Sequence, residues 1–426
     1  MNILLLGSGG REHAFAWKLT QSSRCTRLFI APGNAGTSLC GTNVDLAVTD
    51  FDGIKQFCVE HNIGMVVVGP EEPLVKGIYD YFKNDPAIRH IPVIGPSKAG
   101  ANLEGSKAFA KAFMQRHGIP SAAYKEFDAG NYEEGISYLQ LHATPIVLKA
   151  DGLAAGKGVI ICQNHVEAMA EFELMIQQAK FGDASKKVVV EDFLSGIELS
   201  VFVLTDGENY VLLPEAKDYK RIDEGDKGLN TGGMGAISPV PFADETFMQK
   251  VISTIIDPTI SGLKKEQIEY AGFIFFGIIK VNDEPCVIEY NCRMGDPETE
   301  AVLPRLKNDL VALFEATAGK RLHEIKLETD SRQTVTIVAV SGGYPGEYEK
   351  GLLIDGLDLV QEDDAIVFHA GTLQEDDKTV TNGGRVLAVT SFGNTLQKAV
   401  EKSKAILDIV QFDGMHFRSD IGYEFY

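Results

Sequence analysis

Residues 2–19, NILLLGSGGREHAFAWKL, decide the fold of the first part of the chain. The apolar run at residues 3–6 predicts a buried strand, and the glycine-rich segment that follows it predicts a turn. Residues 11–19 are compatible with a helix, so the stretch forms a strand–turn–helix unit. Units of this kind build parallel α/β sheets.

The same order recurs further along the chain. Three more apolar segments precede turn sequences and helix-compatible stretches: residues 28–30, 65–68 and 93–94. Strands that alternate with helices predict a parallel sheet, with ligands beyond the carboxyl ends of the strands. Ser106 can cap a helix that stops at Gly118 and Pro120, so the first α/β domain is predicted at residues 1–120.

The pattern changes after residue 120, where a small α+β lid is predicted at residues 121–190. Its elements are a helix at residues 166–179 and strands at 145–149, 158–161 and 188–190. The first two strands are joined by a loop of small residues. The short helix and strand content indicates a minor domain beside a larger one.

Two further domains are predicted, at residues 191–328 and 329–426. The first contains an amphipathic helix from Met248 to Ile256, interrupted by Pro258. Its strands are expected at residues 197–204, 273–280 and 286–290. The last domain is expected to contain strands at 335–340 and 385–390 and a final helix with one apolar side, formed by Leu396, Ala399, Val400, Ile406 and Leu407.

The composition supports several packed domains and limits the classes of partner. The chain has 426 residues, more than the roughly 250 to 300 at which one core stops growing. Its net charge of −20 argues against a nucleic-acid or anionic-membrane surface. The six cysteines contain no CxxC pair, which indicates reduced thiols. There is no apolar run of about 18 residues and no leader pattern, so we expect a soluble, cytoplasmic protein.

The turn GSGGREH, residues 7–13, has the position of a dinucleotide-binding turn but not its pattern. GxGxxG requires glycine where Glu12 stands, and the second strand lacks the acidic residue that binds a ribose. The sequence therefore argues against NAD or FAD. Backbone N–H groups at a helix start still suit one phosphate, and Arg11 adds a cation. A tight turn with a solvated arginine is the alternative.

KADGLAAGKGV, residues 149–159, is a second candidate for binding phosphate. It is not a Walker A loop, because Gly158 follows Lys157 where Ser or Thr is required. Its glycines allow the backbone to approach a charged ligand closely, and Lys149 and Lys157 add cations. A plain glycine-rich hairpin is the alternative.

Two polar segments lie between the predicted strands of the larger domain. In VVVEDFLSGIELS, residues 188–200, the backbone of 191–194 can bind the edge of a base while Glu198 accepts from ribose hydroxyls. Solvated glutamates at strand ends are the alternative. Residues 215–239 are too polar for a core and too rich in glycine for a helix. They predict a long functional loop beside a site.

IEYNCRMGDPE, residues 288–298, begins as a strand and ends in ionisable and amide groups. Side chains alternate along a strand, so Glu289 and Asn291 share a face that Tyr290 does not. Two oxygen donors side by side suit Mg²⁺, which takes one or two protein oxygens and completes its shell with water and phosphates. A strand edge that runs into a polar turn is the alternative.

Read in order, eight segments closely resemble the phosphoribosylamine–glycine ligases, or glycinamide ribonucleotide synthetases, of the ATP-grasp superfamily. The segments are GSGGREH, APGNAG, VGPEEPLVKG, GPSKAGANLEGSKAF, KADGLAAGKGV, NTGGMGA, IEYNCRMGDPETE and TNGGRVLAVT. The resemblance spans residues 1 to about 425. It implies a multidomain α/β and α+β chain: a Rossmann-like pre-ATP-grasp domain, a lid, a central ATP-grasp domain and a C-terminal α/β domain.

The resemblance also implies roles for residues around ATP and a divalent ion, Mg²⁺ or Mn²⁺. Lys107 and Lys149 would meet the phosphates, and the loop with Lys157 would close over them. The expected ATP-binding residues are Lys107, Lys149, Gly156, Lys157, Gly158, Glu191, Asp192, Phe193, Leu194 and Glu198. Glu289 and Asn291 match the metal ligands. Glu191 to Leu194 would hold adenine, and Glu198 the ribose.

The acceptor substrates implied by the resemblance are glycine and 5-phosphoribosylamine. The expected substrate-binding residues are Gly9, Gly10, Arg11, Asn34, Glu71, Asp218, Arg221, Arg293, Asp296 and Glu298. Those expected to act in catalysis are Lys149, Lys157, Arg293 and Asp218. The reaction would release ADP and phosphate through a glycyl phosphate intermediate. A transient contact with the enzyme that makes phosphoribosylamine is a further expectation.

Three positions depart from the family pattern, and two other functions compete with this one. Tyr219 stands where His is common, Leu229 where Pro is common and Met294 where Phe is common. They put in doubt the fine shape of the acceptor site and the stiffness of the glycine-rich loop. The competing functions are another ATP-grasp carboxylate–amine ligase with different acceptors and a nucleotide-binding regulator without catalysis.

Overall fold

The computed structural model describes residues 1–154, 158–361 and 363–426. The first part of the chain is a parallel sheet flanked by helices. Its elements are β1 (Asn2–Gly7), α1 (Gly10–Leu19), β2 (Arg27–Pro32), β3 (Thr42–Asn43), α2 (Phe51–Glu60), β4 (Ile63–Val68), α3 (Glu71–Lys76), α4 (Ile78–Asn84), β5 (Val93–Pro96), α5 (Lys98–Gly105) and α6 (Lys107–Arg116). The strands pair in parallel in the order β5-β4-β1-β2-β3, which confirms the predicted sheet. The Ser106 hydroxyl accepts from the N–H of Phe109 and caps α6, also as predicted.

The lid is a four-stranded antiparallel sheet with two helices. Its elements are β6 (Tyr124–Asp128), α7 (Tyr132–Leu141), β7 (Ile146–Ala150), β8 (Val159–Cys162), α8 (His165–Ile176) and β9 (Lys187–Asp192), with sheet order β6-β9-β7-β8. It has its own apolar core, in which Phe127, Leu148 and Phe172 are buried. The predicted strands and helix are present, whereas β6 and α7 were not expected.

The central region adds long antiparallel strands to the first sheet. Its elements are β10 (Ile197–Thr205), β11 (Tyr210–Leu212), β12 (Lys217–Asp218), β13 (Arg221–Asp223), β14 (Lys227–Asn230), β15 (Gly235–Ser238), α9 (Glu245–Val251), α10 (Asp257–Lys265), β16 (Tyr270–Val281), β17 (Glu284–Asn291), α11 (Glu298–Val302) and α12 (Leu310–Ala318). β16 pairs with β5, so one nine-stranded sheet runs through both regions. The joint needs glycine, because a Cβ on Gly272 would lie 2.9 Å from the Cα of Gly95.

The helix predicted to break at Pro258 continues through it. α9 runs into a π-helical turn, Ile252–Ile256, and then into α10. Pro258 stands in the first turn of α10, next to that wider turn, where a residue without an N–H is tolerated. The predicted interruption is therefore wrong. The predicted long loop at residues 215–239 is likewise partly ordered, since β13 and β14 form a hairpin within it.

The last part of the chain builds a five-stranded sheet together with two central strands. Its elements are β18 (Gln333–Val340), β19 (Ala365–His369), β20 (Thr372–Glu375), β21 (Lys378–Thr381), β22 (Arg385–Gly393) and α13 (Leu396–Ile409). The sheet order is β12-β15-β18-β22-β19. The apolar side of α13 is buried against this sheet, as predicted.

Alternation along the central strands distributes the apolar side chains between two cores. Leu4 and Leu6 of β1 belong to one core, and Ile3 and Leu5 to the other, on the opposite face. Polar residues stand at or just after the carboxyl ends of β1, β9 and β17. We therefore place the candidate site at these strand ends. Among the described residues, no helix combines the length and apolarity that a membrane crossing needs.

Candidate active site

Glu289 and Asn291 project from the carboxyl end of β17 on one face. Between them Tyr290 points into the core, where its hydroxyl lies 2.9 Å from that of Thr259. The side chain of Glu289 packs over Gly277 of β16. A Cβ atom added to Gly277 would lie only 3.1 Å from Cγ of Glu289. Asn291 is buried, and its Nδ2 atom has no hydrogen-bond partner. An orphaned buried amide beside a carboxylate fits a site that is completed by a ligand.

The donor chemistry of this pair fits a hard divalent ion. Mg²⁺ takes one or two protein oxygens and relies on phosphates and water for the rest of its octahedral shell. Within residues 1–154, 158–361 and 363–426, no group of three or more His, Cys, Asp or Glu side chains is arranged to hold a metal. The two oxygens of Glu289 and Asn291 suit an ion that takes the rest of its shell from phosphates and water.

A buried carboxylate organises two lysines beside this pair. The Lys149 ammonium lies 3.0 Å from Glu191 Oε2 and donates to the carbonyl of Ile288, which precedes Glu289. Lys111 reaches the same Glu191 oxygen at 3.1 Å. One negative charge thus holds two positive charges in a buried position. This arrangement leaves a net positive charge for an anionic ligand.

Lys107 adds a third cation at the start of α6. Its ammonium donates to the carbonyl of Gly152, at the start of the glycine-rich loop. Burial lowers the pKa of Lys107, and the nearby Glu289 carboxylate opposes that shift. Gly158, at the far end of the loop, has no room for a side chain, because an added Cβ atom would lie 2.7 Å from the Cβ atom of Ala154. The predicted ATP-binding residues Gly156 and Lys157 lie outside the described residues.

The segment predicted to hold adenine spans the end of β9 and the connection to β10. Asp192 ends β9 and pairs with His142 at 3.0 Å. Phe193 and Leu194 lie outside both strands, and Phe193 is exposed. Glu198 lies 2.9 Å from the Lys220 ammonium, which lowers the pKa of Glu198. This segment therefore presents backbone groups and a carboxylate at the edge of the cleft.

Two acidic side chains, Asp218 and Glu298, act on each other electrostatically; Glu298 is buried and Asp218 is half-buried. Burial, together with the negative charge of Asp218, raises the pKa of Glu298 to about 7. Ser200 donates a hydrogen bond of 3.0 Å to Glu298 Oε1. Burial also raises the pKa of Asp218, and Lys220 opposes that shift. A carboxyl group that titrates near neutrality can accept a proton during a reaction.

The guanidinium of Arg293 contacts Asn291 on one side and the carboxylates of Glu71 and Glu104 on the other. Its Nη2 atom is 2.9 Å from Glu104 Oε1, and its Nε is 3.5 Å from Glu71 Oε2. Nη2 also donates to Asn291 Oδ1 at 3.3 Å. Its Nε is buried without a hydrogen-bond partner. A guanidinium whose Nε makes only this long ion pair with Glu71 has donor capacity left for a phosphate or carboxylate ligand.

The N-terminal glycine turn packs against the segment after β17. Arg11 is buried, and its side chain bonds Glu12 and the carbonyl of Met294. The backbone N–H of Arg11 donates to Asp296 Oδ2, and Asp296 Oδ1 lies 3.0 Å from Arg385. The alternative of a solvated arginine is therefore wrong. This contact joins the N-terminal, central and C-terminal regions at one point.

Three family models cover most of the chain. The phosphoribosylglycinamide synthetase N domain matches residues 1–104, the ATP-grasp (A) domain residues 105–299 and the C domain residues 334–424. The chain belongs to the phosphoribosylglycinamide synthetase family. Phosphoribosylamine–glycine ligase of Yersinia pestis is 45% identical over 99% of this chain and 98% of its own length. The ligase of Vibrio cholerae is 44% identical with the same coverage.

Solved structures agree with this family assignment. The crystal structure of phosphoribosylamine–glycine ligase from Thermotoga maritima superposes with a TM-score of 0.84 at 33% identity, over 99% of this chain and 100% of that one. An ADP complex of N5-carboxyaminoimidazole ribonucleotide synthetase has a TM-score of 0.66 at 15% identity, over 95% of this chain and 96% of that one. The second likeness shows the fold alone. The chain is a carbon–nitrogen ligase with an ATP-grasp domain.

Contacts join several predicted site residues of this synthetase family member, whereas the side chains of two others are engaged within loops. Asn34 Nδ2 donates to the carbonyls of Ser8 and His369, and its Oδ1 accepts from two backbone N–H groups. Arg221 is exposed and donates to the carbonyl of Gly228 across the β13–β14 hairpin. In this structure both side chains hold loops in place, and the proposed contacts of either with substrate stay predictions.

Four charged residues of the synthetase cleft escaped the sequence analysis. They are Glu104, Lys111, Glu300 and Arg385. Both carboxyl oxygens of Glu300 are buried without a hydrogen-bond partner, and Oε1 would lie 2.3 Å from a Cβ on Gly10. Glu104, Glu300 and Arg385 stand within segments that carry the family resemblance, but the resemblance assigned none of them a role. Helical residues such as Lys111 carry no local signal, because their partners come from distant strands.

The three departures from the family pattern have different surroundings. Tyr219 is 1% exposed and donates its hydroxyl to Glu424, so its ring faces away from Asp218. Met294 is fully buried, and its carbonyl accepts from two arginines. Leu229 is exposed on β14. None of the three therefore occupies the cleft between Glu289 and Asp218.

Proposed function

We propose that this chain ligates glycine to 5-phosphoribosylamine at the expense of ATP, giving glycinamide ribonucleotide, ADP and phosphate in purine biosynthesis. The observation that carries the proposal is the position of Glu289. It lies beside Asn291 and acts electrostatically on both Lys107 and Lys220. Asn291, suited to the metal, Lys107, suited to the triphosphate, and Lys220, on the acceptor side, therefore all lie near the carboxylate of Glu289.

Electrostatics explain why the cleft needs this many cations. Two like unit charges 4 Å apart repel by about 1 kcal/mol in water and about 4 kcal/mol at an effective dielectric near 20. A glycine carboxylate must approach a triphosphate that carries several such charges, in a chain with a net charge of −20. Lys107, Lys149 and Arg293 would reduce this repulsion and orient the γ-phosphate for in-line attack.

Glu289 and Asn291 would hold Mg²⁺ or Mn²⁺, which would supply further charge neutralisation at the phosphates when bound. In the first step a glycine carboxylate oxygen bonds to the γ-phosphorus, and the bond to ADP breaks. The product is glycyl phosphate. The glycine-rich loop that contains Lys157 would close over the phosphates, and excluding water would protect this acyl phosphate from hydrolysis.

In the second step the amine of phosphoribosylamine attacks the acyl carbon and phosphate leaves. The attacking nitrogen must lose a proton. Glu298, with its pKa of about 7 and its neighbour Asp218, is suited to accept it. The turn with Gly9 and Gly10 and the nearby Asp296 would hold the phosphoribosyl part. Glu71 and Arg293 complete the acceptor side.

ADP release with each substrate withheld in turn tests this function. We expect release only when ATP, a divalent ion, glycine and phosphoribosylamine are all present. Turnover that needs neither glycine nor phosphoribosylamine would reject the assignment in favour of another ATP-grasp ligase. Nucleotide binding without any ADP release would favour a regulator.

The setting of the reaction is a further proposal. We place it in the cytoplasm, where ATP and the acceptor substrates are available. A transient contact with the enzyme that supplies phosphoribosylamine stays a prediction. Faster product formation when the two enzymes are mixed than when a membrane permeable only to small molecules separates them would support that contact.

A further inference from the structure

The end of the chain packs against the strand that carries Asp218. We call residues 416–426 the C-terminal tail. Within it, Glu424 Oε2 accepts a hydrogen bond of 2.9 Å from the Tyr219 hydroxyl, and Oε1 lies 2.8 Å from the Lys217 ammonium. That ammonium stands 3.9 Å from the centre of the Tyr219 ring. One tail carboxylate thus holds two side chains of the β12 segment.

The alternation of side chains along β12 connects this contact with the cleft. Lys217 and Tyr219 face the tail, whereas Asp218 and Lys220 face the opposite way, where Lys220 pairs with Glu198. β12 has only two residues, and its register with β15 rests on two residue pairs. The adjoining residues add backbone hydrogen bonds, between Ala216 and Ser200 and between Tyr219 and both Gly235 and Met234. The side-chain contacts with the tail are a second set of restraints on the segment that carries Asp218.

The tail also holds the hairpin that follows β12. Arg418 is fully buried, and its Nη1 donates to the carbonyl of Arg221 and to Asp226 Oδ1. Its other nitrogens bond Asp420, whose Oδ2 accepts from the N–H of Gly225. The tail therefore fixes the chain on both sides of Lys220. A buried guanidinium with charged partners is strongly directional, so this contact permits little movement.

We propose that the C-terminal tail positions Asp218 and Lys220 in the acceptor site, with Glu424 as the positioning residue that acts through Lys217 and Tyr219. The proposal rests on the function given above and concerns a part of the chain that contains none of the predicted site residues. The proton-accepting pair of Asp218 and Glu298 depends on the placement of β12. Loosening the tail should therefore impair the acceptor chemistry more than nucleotide binding, which it reaches only through the pair of Lys220 with Glu198.

The test compares Glu424→Ala with Glu401→Ala, an exposed acidic residue on α13 of the same region. We expect kcat/KM for glycine to fall about tenfold in Glu424→Ala, since small misplacements of catalytic groups have effects of this size or larger. The dissociation constant for ATP should change less than kcat/KM does, because the tail reaches the nucleotide side only through the pair of Lys220 with Glu198. Glu424→Gln, which can still accept from Tyr219, should restore part of the loss. Unchanged kcat/KM in Glu424→Ala, or an equal loss in Glu401→Ala, would overturn the proposal.

Two further measurements separate this proposal from the function on which it rests. Hydrogen exchange of residues 217–230 should be faster in Glu424→Ala than in the unaltered chain, whatever reaction the chain performs. In a double-mutant cycle, adding Tyr219→Phe to Glu424→Ala should cost less than Tyr219→Phe costs alone. Unchanged exchange or full additivity would contradict the coupling. An inactive unaltered chain with the expected exchange pattern would instead reject the function and keep the coupling.

Discussion

The ammonium of Lys149 lies 3.0 Å from Glu191 Oε2, and both side chains are buried. Lys111 shares the same oxygen, so Glu191→Ala would leave two buried ammonium groups without their anion. Removing one partner of a buried pair costs about 3 to 5 kcal/mol. Hydrogen exchange should therefore show that the free energy of opening of the lid strands β7 and β9 falls by about that amount. Glu133→Ala removes an exposed carboxylate on α7 of the same region and should have little effect; an equal effect of both variants would contradict this account of Glu191.

Glu289→Ala should leave the fold intact and abolish ADP formation that depends on a divalent ion. Only Asn291 would then remain to hold the ion. Glu284 lies on the same strand, is exposed and pairs with Lys250, so Glu284→Ala is the matched control. Circular dichroism and ADP release at several Mg²⁺ concentrations measure both effects. Normal turnover in Glu289→Ala would refute its role as a metal ligand.

Glu298→Gln should lower kcat by about 10² to 10⁴, the usual contribution of general acid–base catalysis. The unaltered chain should gain activity as the pH rises through about 7, because Glu298 must lose its proton before it can accept one. That limb of the pH profile should disappear in the variant. A profile that keeps the same limb in Glu298→Gln would assign the titration to another group.

The same substitution should stabilise the protein at alkaline pH. The pKa of Glu298 is raised from 4.5 to about 7, so the folded state binds this proton more tightly than the unfolded state. Stability from this group is present at low pH and is lost as the pH rises from 4.5 through about 7. The loss is about 3 kcal/mol above that range, at 1.36 kcal/mol for each pKa unit. Glu298→Gln removes the loss, and its Tm should exceed that of the unaltered chain at pH ~8 but not at pH ~4.

Acid should loosen the contact between the N-terminal and C-terminal regions. His13 Nδ1 accepts a hydrogen bond of 2.7 Å from the N–H of His369, and burial lowers the pKa of His13 to about 3. Burial also lowers the pKa of His369 to about 4. The unfolded chain takes up these protons below about pH 6.5, so stability falls as the pH drops from there towards 3. Tm measured between pH ~7 and ~5 should decrease less in His13→Gln; an identical pH dependence would contradict the contribution of His13.

Local patterns were sufficient to predict much of the fold and part of the site. The apolar runs at β1, β2, β4 and β5 predicted a parallel sheet because each is short, buried and followed by a turn. Strand alternation placed Glu289 and Asn291 on one face. The cap at Ser106 was also readable, because its bond spans only three residues.

What could not be predicted depends on contacts between distant parts of the chain. The pairing of β5 with β16 joins residues that lie far apart in sequence, and only the closeness of Gly95 and Gly272 makes it possible. The burial of Arg11 depends on Met294 and Asp296. The continuity of the helix at Pro258 depends on a π-helical turn that hydrophobic periodicity does not reveal.

The transfer of oxygen from glycine to phosphate tests the central claim most directly. Glycine labelled with ¹⁸O in both carboxyl oxygens would be turned over with ATP, phosphoribosylamine and Mg²⁺, and the released phosphate analysed by mass spectrometry. If the glycine carboxylate attacks the γ-phosphorus in the cleft of Lys149, Glu289 and Arg293, each phosphate carries one labelled oxygen. Unlabelled phosphate alongside normal product formation would contradict the account.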